Sequence, residues 1–284
     1  MPATIMDGRA LAQRIRAQVA EEARSLGHVG FATVLVGDDA ASEIYIRLKH
    51  DAATAAGIDA QDVRLPATIA EDDLLARVAE LNASDDVDAL LVQTPLPDHL
   101  DEERIIRTLD PLKDVDGFHP WNAGELYLGR PQLVPATPIG IMALLTEYRI
   151  ELDGAHAVVI GRSDIVGKPI AHLLLQANAT VTLCHTHTQD LARHTLDADV
   201  LVVAAGRPAV VTPDMVKTQS AVVDVGINRT DAGVVGDVDE GAADVAAYLT
   251  PVPGGVGPMT VACVLQNAVR CARYRRGEIG HSAR

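Results

Sequence analysis

Apolar positions recur along the chain in two alternating rhythms. Leu11, Ile15 and Val19 fall at helical spacing, with Arg14, Arg16, Glu21 and Glu22 on the other faces, which predicts an opening amphipathic helix. Phe31–Val36 is an almost unbroken apolar run ended by Gly37-Asp38-Asp39, the pattern of a strand buried on both faces. A second helix is predicted over Ala40–Ala56, closed by Gly57. Val63–Leu65 gives a weak strand and Glu71–Leu81 a helix. Asp88–Gln93 is another buried strand, stopped by Pro95 and Pro97.

Between Asp114 and Pro138 no period survives. Glycine, proline, Trp121 and polar residues dominate, which places a domain boundary in this stretch. A second alternation follows: helix Ile139–Tyr148, strand Ala155–Ile160, helix Val166–Asn178, then strands at Thr180–Cys184, Val200–Ala204 and Ala221–Val225. A last amphipathic helix spans Thr260–Arg275, with Val261, Leu265 and Val269 on one face, before a polar tail from Gly277. Strand alternating with helix implies an α/β fold, a parallel sheet covered by helices, in each half.

Composition narrows the class. Hydrophobic residues make up 48% of the 284, so a packed core is expected rather than disorder. Aromatics are only 3%, leaving alanine, valine and leucine to fill the interior. A formal net charge of −15 argues against nucleic-acid and membrane-surface partners, which are themselves polyanions. No apolar run approaches the ~20 residues of a membrane helix, and the N-terminus carries no signal pattern. Cys184, Cys263 and Cys271 are too few for a disulfide framework, so free thiols in a reducing cytoplasm are expected.

Candidate chemistry begins at Gly161-Arg162-Ser163-Asp164-Ile165-Val166-Gly167-Lys168-Pro169, directly after the apolar run Ala157–Ile160. A strand that breaks into a glycine-bounded turn and reopens as a helix lets backbone and helix N–H groups face a nucleotide's phosphates. It is not the ordinary dinucleotide fingerprint. Ser163 stands where a second glycine would be, and the outer glycines are one residue further apart. An NAD site would place an acid after the next strand, to accept from the ribose hydroxyls. That strand ends instead at Cys184-His185-Thr186-His187-Thr188, and Arg162 with Thr186 could pair a 2′-phosphate, which favours NADP. A metal site at Cys184, His185 and His187 is disfavoured because neighbours on a strand point to opposite faces.

In the first half, Tyr45 and Lys49 lie four residues apart on one helix face, with Ser42 a turn earlier. A lysine beside a tyrosine can carry protons when burial favours its neutral amine. Spacing alone is accounted for better by a surface lysine lying along an aromatic ring. Gln93 places an amide at a strand end before the stiff Thr94-Pro95-Leu96-Pro97. Lys113–Pro120 gathers Asp114, Asp116 and His119 in a turn.

Taken together these residues resemble one family, the bifunctional methylenetetrahydrofolate dehydrogenase/methenyltetrahydrofolate cyclohydrolases. The resemblance spans nearly the whole chain. It rests on Tyr45 with Lys49, Val92–Pro97, Lys113–His119, Thr137-Pro138, Gly161–Pro169, Gly236-Asp237-Val238 and Pro251–Thr260, all in order. It implies a bifunctional enzyme that oxidises 5,10-methylenetetrahydrofolate to the methenyl form with NADP and hydrolyses that to 10-formyltetrahydrofolate. Lys49 then matches the proton-transfer lysine, Tyr45 the ring against the folate, Gln93 the amide that positions the lysine, and Asp116 the carboxylate on the pterin edge. Ser42, Pro253, Gly254 and Gly255 are expected to line the substrate site. Gly161, Arg162 and Ser163 match the phosphate loop, Thr186 the 2′-phosphate position and Ile227 a backbone contact to the nicotinamide end. The family also implies a homodimer and two domains with a cleft between them: 1–120 with a returning helix in 260–284, and a Rossmann-like domain over 121–259. No metal is implied.

Departures from the family pattern stand at Asp164 for asparagine, Thr94 for leucine and His187 for lysine or arginine. Two other readings stay open: a monofunctional or NAD-linked dehydrogenase, and a folate- or dinucleotide-binding protein without turnover.

Overall fold

A computed structural model describes residues 2–231 and 233–280. Along the chain run β1 (Thr4–Ile5), α1 (Gly8–Leu26), β2 (Gly30–Val36), α2 (Ala40–Ala55), β3 (Asp59–Leu65), α3 (Glu71–Ala83), β4 (Ala89–Val92), α4 (Glu102–Thr108), α5 (Pro120–Tyr127) and α6 (Ala136–Glu147). Then come β5 (His156–Ile160), α7 (Gly167–Gln176), β6 (Thr180–Cys184), α8 (Leu191–Thr195), β7 (Val200–Val203), β8 (Ala221–Asp224), β9 (Asn228–Thr230), β10 (Gly233–Val235), β11 (Tyr248–Leu249) and α9 (Val256–Arg275). They form two compact units, one of 1–12 with 137–260, the other of 13–136 with 261–284.

The unit of 13–136 and 261–284 is built on a parallel sheet of order β3-β2-β4. Every residue of β2 and β4 is buried, as their apolar runs require. β3 is an edge strand whose Asp-Ala-Gln-Asp start leaves it partly exposed, so only its last three residues look like a strand in the sequence. The unit reaches Ala136, beyond the boundary expected at 120/121, for a polar reason. The buried Asn267 amide on α9 donates to Val115 O and Val134 O, both at 2.8 Å, and Tyr274 Oη donates to Gln132 at 2.7 Å. Within 114–138, where no helix was expected, α5 forms because Pro120 sits in its first turn and the His119 ring accepts from Trp121 N at 3.0 Å.

The other unit carries a six-stranded parallel sheet of order β1-β11-β8-β7-β5-β6. β5, β7 and β8 fill its centre with valine, alanine, leucine and isoleucine almost fully buried. Residues 1–12 belong here rather than with the first domain, because β1 pairs in parallel with β11. α9 starts at Val256, four residues before the expected Thr260, since Pro258 is tolerated in a first helical turn. Of the tail expected from Gly277, residues 281–284 lie outside the described residues.

Candidate active site

Helix α2 is nucleated by Asp39, whose carboxylate accepts from Ser42 N at 2.7 Å. It is seated on β2 through His50, whose ring bonds Thr33 Oγ1 at 3.1 Å and meets Phe31 edge-on. Burial holds His50 below the usual imidazole range; Asp62 opposes this and the Lys49 charge adds to it. One residue before His50, Lys49 is buried at 8% exposure, while Tyr45, one turn back on the same face, presents its ring at 37%. Ser42 is buried at the start of the same helix.

The described residues contain two buried lysines, and they differ in one respect that matters. Lys113 donates to three carbonyls at the end of α3: Leu81 O at 3.2 Å, Asn82 O at 2.6 Å and Ser84 O at 2.8 Å. Its three donors are spent on structure. Lys49 makes no hydrogen bond or ion pair with any described residue. Gln93 shows the same openness: its amide nitrogen donates to Thr94 O at 2.8 Å, but its Oε1 is buried with no partner. Gln93 N donates to Val34 O, next to the Thr33 that seats α2, so both residues sit at the exit end of one sheet.

Asp116 is half-buried on a turn fixed by its neighbours. Asp114 forms a parallel bridge to Leu90, so the chain runs beside β4 toward Gln93. The Asp114 carboxylate accepts from His119 N at 2.7 Å and Asn122 Nδ2 at 2.9 Å. Burial nevertheless pushes its pKa up to about 6, and Asp224, at the end of β8, is raised to about 6 for the same reason. Between their ordinary value of 3.8 and about 6 the folded state binds more protons than the unfolded chain. Each group therefore lowers stability as pH rises through that window. Going from pH 7 to pH 5 should raise the unfolding free energy by about 1 kcal/mol per group. Urea unfolding at both pH values should show a smaller gain in Asp114→Asn than in the parent; an identical gain would refute the assignment.

In the six-stranded unit β5 ends at Gly161, whose φ of +115° suits glycine alone. A Cβ there would overlap Ala204 O, while Gly161 N donates to Cys184 O at 2.9 Å. Ser163 Oγ accepts from Val166 N at 3.2 Å and Gly167 N at 3.4 Å, capping the turn into α7. Asp164 is exposed and ion-paired with Lys168, so its charge is offset one helical turn away. Arg162 is exposed and makes no hydrogen bond or ion pair with any described residue. After β6 the backbone is folded by its own polar groups: His185 N donates to Thr188 Oγ1 at 2.9 Å and His187 N to His185 Nδ1 at 3.1 Å. Thr186 is exposed on that turn, and Ile227, just past β8, is 46% exposed. Gly8 N donates to Gly254 O at 3.0 Å, Arg9 to Pro253 O at 3.4 Å and Gly255 N to Pro251 O at 2.8 Å, fixing that loop against the chain's start.

The predicted residues thus fall into two sets: Ser42, Tyr45, Lys49, Gln93 and Asp116 in the smaller-sheet unit, and Pro253–Gly255, Gly161–Ser163, Thr186 and Ile227 in the other. The structural roles of Lys113, Asp114 and Asn267 were not read from the sequence. An acid or lysine inside a stretch without period gives no sign of burial.

Residues 6–116 match the tetrahydrofolate dehydrogenase/cyclohydrolase catalytic domain, and residues 135–276 match the NAD(P)-binding domain of the same family. The chain is 51% identical over 278 residues to the bifunctional protein FolD of Burkholderia thailandensis, covering 96% of this chain and 98% of that protein. Among solved structures it resembles the bifunctional methylenetetrahydrofolate dehydrogenase/cyclohydrolase of Campylobacter jejuni, with a TM-score of 0.94 and 45% identity over 96% of this chain and 99% of that one. It also resembles the Trypanosoma brucei enzyme solved with NADP and an inhibitor, with a TM-score of 0.93 and 37% identity, covering 97% and 99% of the two chains.

Proposed function

The chain belongs to the tetrahydrofolate dehydrogenase/cyclohydrolase family, and on that premise we propose how its residues divide the work. It is a bifunctional enzyme: it oxidises 5,10-methylenetetrahydrofolate to the methenyl form with NADP, then hydrolyses that cation to 10-formyltetrahydrofolate. The observation that carries the residue assignment is the buried Lys49 with no acceptor, set against Lys113 with three.

Lys49 takes the proton from the attacking water and returns one to the ring nitrogen as the methenyl bridge opens. Gln93, whose buried Oε1 has no partner within the protein, is the amide assigned to position that lysine during turnover. Tyr45 offers its ring to the pterin, Asp116 accepts from the pterin edge, and Ser42 lines the same site. Pro253, Gly254 and Gly255 are assigned to the substrate from the family resemblance.

NADP fits the other unit on three observations. Gly161 turns the chain at a φ of +115° hard against Ala204 O where only glycine fits, Arg162 is an unspent guanidinium, and no acid stands at the end of β6. When bound, NADP supplies the hydride acceptor. Gly161, Arg162 and Ser163 hold its phosphates, Arg162 and Thr186 its 2′-phosphate, and Ile227 the nicotinamide end. The protein's task is to keep donor and acceptor carbons in near-attack geometry.

Exposed Leu175 on α7 and Leu183 on the edge strand β6 favour a homodimer, and three buried free cysteines suit a reducing cytoplasm. No described helix is long and apolar enough to cross a membrane.

Purified enzyme given methylenetetrahydrofolate and NADP should produce reduced cofactor and a transient methenyl absorbance that then decays. No absorbance change would favour a binding protein without turnover. Equal rates with NAD would favour the NAD-linked reading.

A further inference from the structure

Two buried carboxylates in the six-stranded unit take no part in the assignment above. Asp224 closes β8 and Asp237 follows β10, with exposures of 4% and 0%. Neither forms an ion pair with any described residue. Their oxygens are instead occupied by backbone. Asp237 accepts from Ala205 N at 2.7 Å, Gly206 N at 2.8 Å, Arg207 N at 3.0 Å and the Asn228 amide at 2.8 Å. Successive N–H groups converging in this way form a concave nest that elsewhere binds external anions. Here the anion is the protein's own.

Asp224 in turn holds the backbone that carries Asp237. It accepts from Gly226 N and Asp237 N, both at 2.9 Å, and from Val238 N at 3.0 Å. The fit leaves no space: a Cβ on Gly236 would overlap the Asp224 carboxylate, and one on Gly226 the Asp237 carboxylate. The loops after β7 and β8 are therefore tied together through two acids in series.

Those loops border the residues assigned to the cofactor. Ala204, immediately before the nest, is the residue Gly161 packs against, and its N–H donates to Ile160 O at 2.7 Å. Ile227 lies between Gly226 and Asn228, which are both in contact with this pair. Burying two acids without a cation costs stability that apolar side chains would not. What the acids supply is a fixed geometry for 205–207 and 226–227, which lie outside the strands, and for Asn228 where β9 begins.

We propose that Asp224 and Asp237 are positioning residues for the dinucleotide site, setting Gly161 and Ile227 relative to each other through residues 205–207 and 226–228. The proposal rests on the assignment of Gly161 and Ile227 to the cofactor.

The enzyme carries its own control, because methenyl hydrolysis needs no dinucleotide. Asp237→Asn forces an amide N–H against a backbone donor. In the full-length enzyme, KM for NADP and for NAD should both rise about tenfold or more, while methenyl hydrolysis stays within about twofold of the parent. Amide hydrogen exchange should quicken at 205–207 while 200–203 of β7 stay protected. Asn228→Ala removes one donor without a buried mismatch; it should repeat the pattern at smaller size, and it serves if Asp237→Asn does not fold. Unchanged KM despite faster exchange at 205–207, or hydrolysis lost in parallel, would overturn the proposal. So would a rise confined to NADP, since that selectivity belongs to Arg162. Arg162→Ala, which removes an assigned cofactor side chain with no protein partner, separates the two failures: if KM for NADP is unmoved there as well, the cofactor assignment itself is wrong.

Discussion

Lys49→Met should abolish methenyl hydrolysis, lowering its rate by about 10²- to 10⁴-fold, while folate binding and part of the hydride transfer survive. The size follows from removing the proton carrier of a step that must both accept and return a proton. Hydride transfer has no such demand on the lysine, because the cofactor supplies that chemistry and the protein supplies geometry. The substitution is also clean structurally. Lys49 is buried and satisfies no described acceptor, so methionine of similar length leaves no carbonyl unpaired. The same change at Lys113 would strip three carbonyls of their donor and should appear as a lower urea midpoint instead. Initial rates of methenyl hydrolysis, beside a folate-binding titration, decide the matter. Unchanged hydrolysis in the variant would end the role given to Lys49.

The elements legible in the sequence are those whose signal is local. β2, β4, β5, β7 and β8 are mainly apolar runs, broken only by Thr33 in β2 and bounded by His156 in β5 and Asp224 in β8, and their apolar residues are buried in a parallel sheet. β3 was half-visible because an edge strand need not be apolar throughout. β1 has two exposed residues, and only its pairing with β11, far away in the chain, makes it a strand. That non-local pairing also moved residues 1–12 into the other unit. α5 is short, and its capping His119 and first-turn Pro120 read as loop chemistry without the fold around them.

The candidate site divides along the same line. Tyr45 and Lys49 share a face by helical spacing, and the glycine turn before α7 announces itself. What spacing could not reveal is which lysine is free. That depends on Lys113 finding Leu81, Asn82 and Ser84 across some thirty residues of chain, and on Lys49 finding nothing. Asp164 illustrates the reverse case. Its charge within the phosphate loop suggests repulsion of a pyrophosphate, yet Lys168 on the next helical turn pairs with it.

That pairing leaves Arg162 as the residue on which cofactor choice turns. Arg162→Ala should raise KM for NADP by about 10- to 100-fold, the loss expected for charge-assisted hydrogen bonds to a phosphate, with KM for NAD changed by less than about threefold. Three features motivate the asymmetry. The guanidinium has no acceptor among the described residues, so no internal ion pair competes for it. The turn after β6 offers the exposed Thr186 and backbone held by Thr188 and His185, but no acid to select an unphosphorylated ribose. And Lys168 is already committed to Asp164, so it does not stand in when Arg162 is removed. Because the guanidinium is exposed, its loss should leave the fold and methenyl hydrolysis intact, and any change in KM reports on the ligand. Steady-state kinetics with each dinucleotide at saturating folate give the comparison. An equal rise for both would place Arg162 on the shared pyrophosphate and remove the charge argument for NADP over NAD.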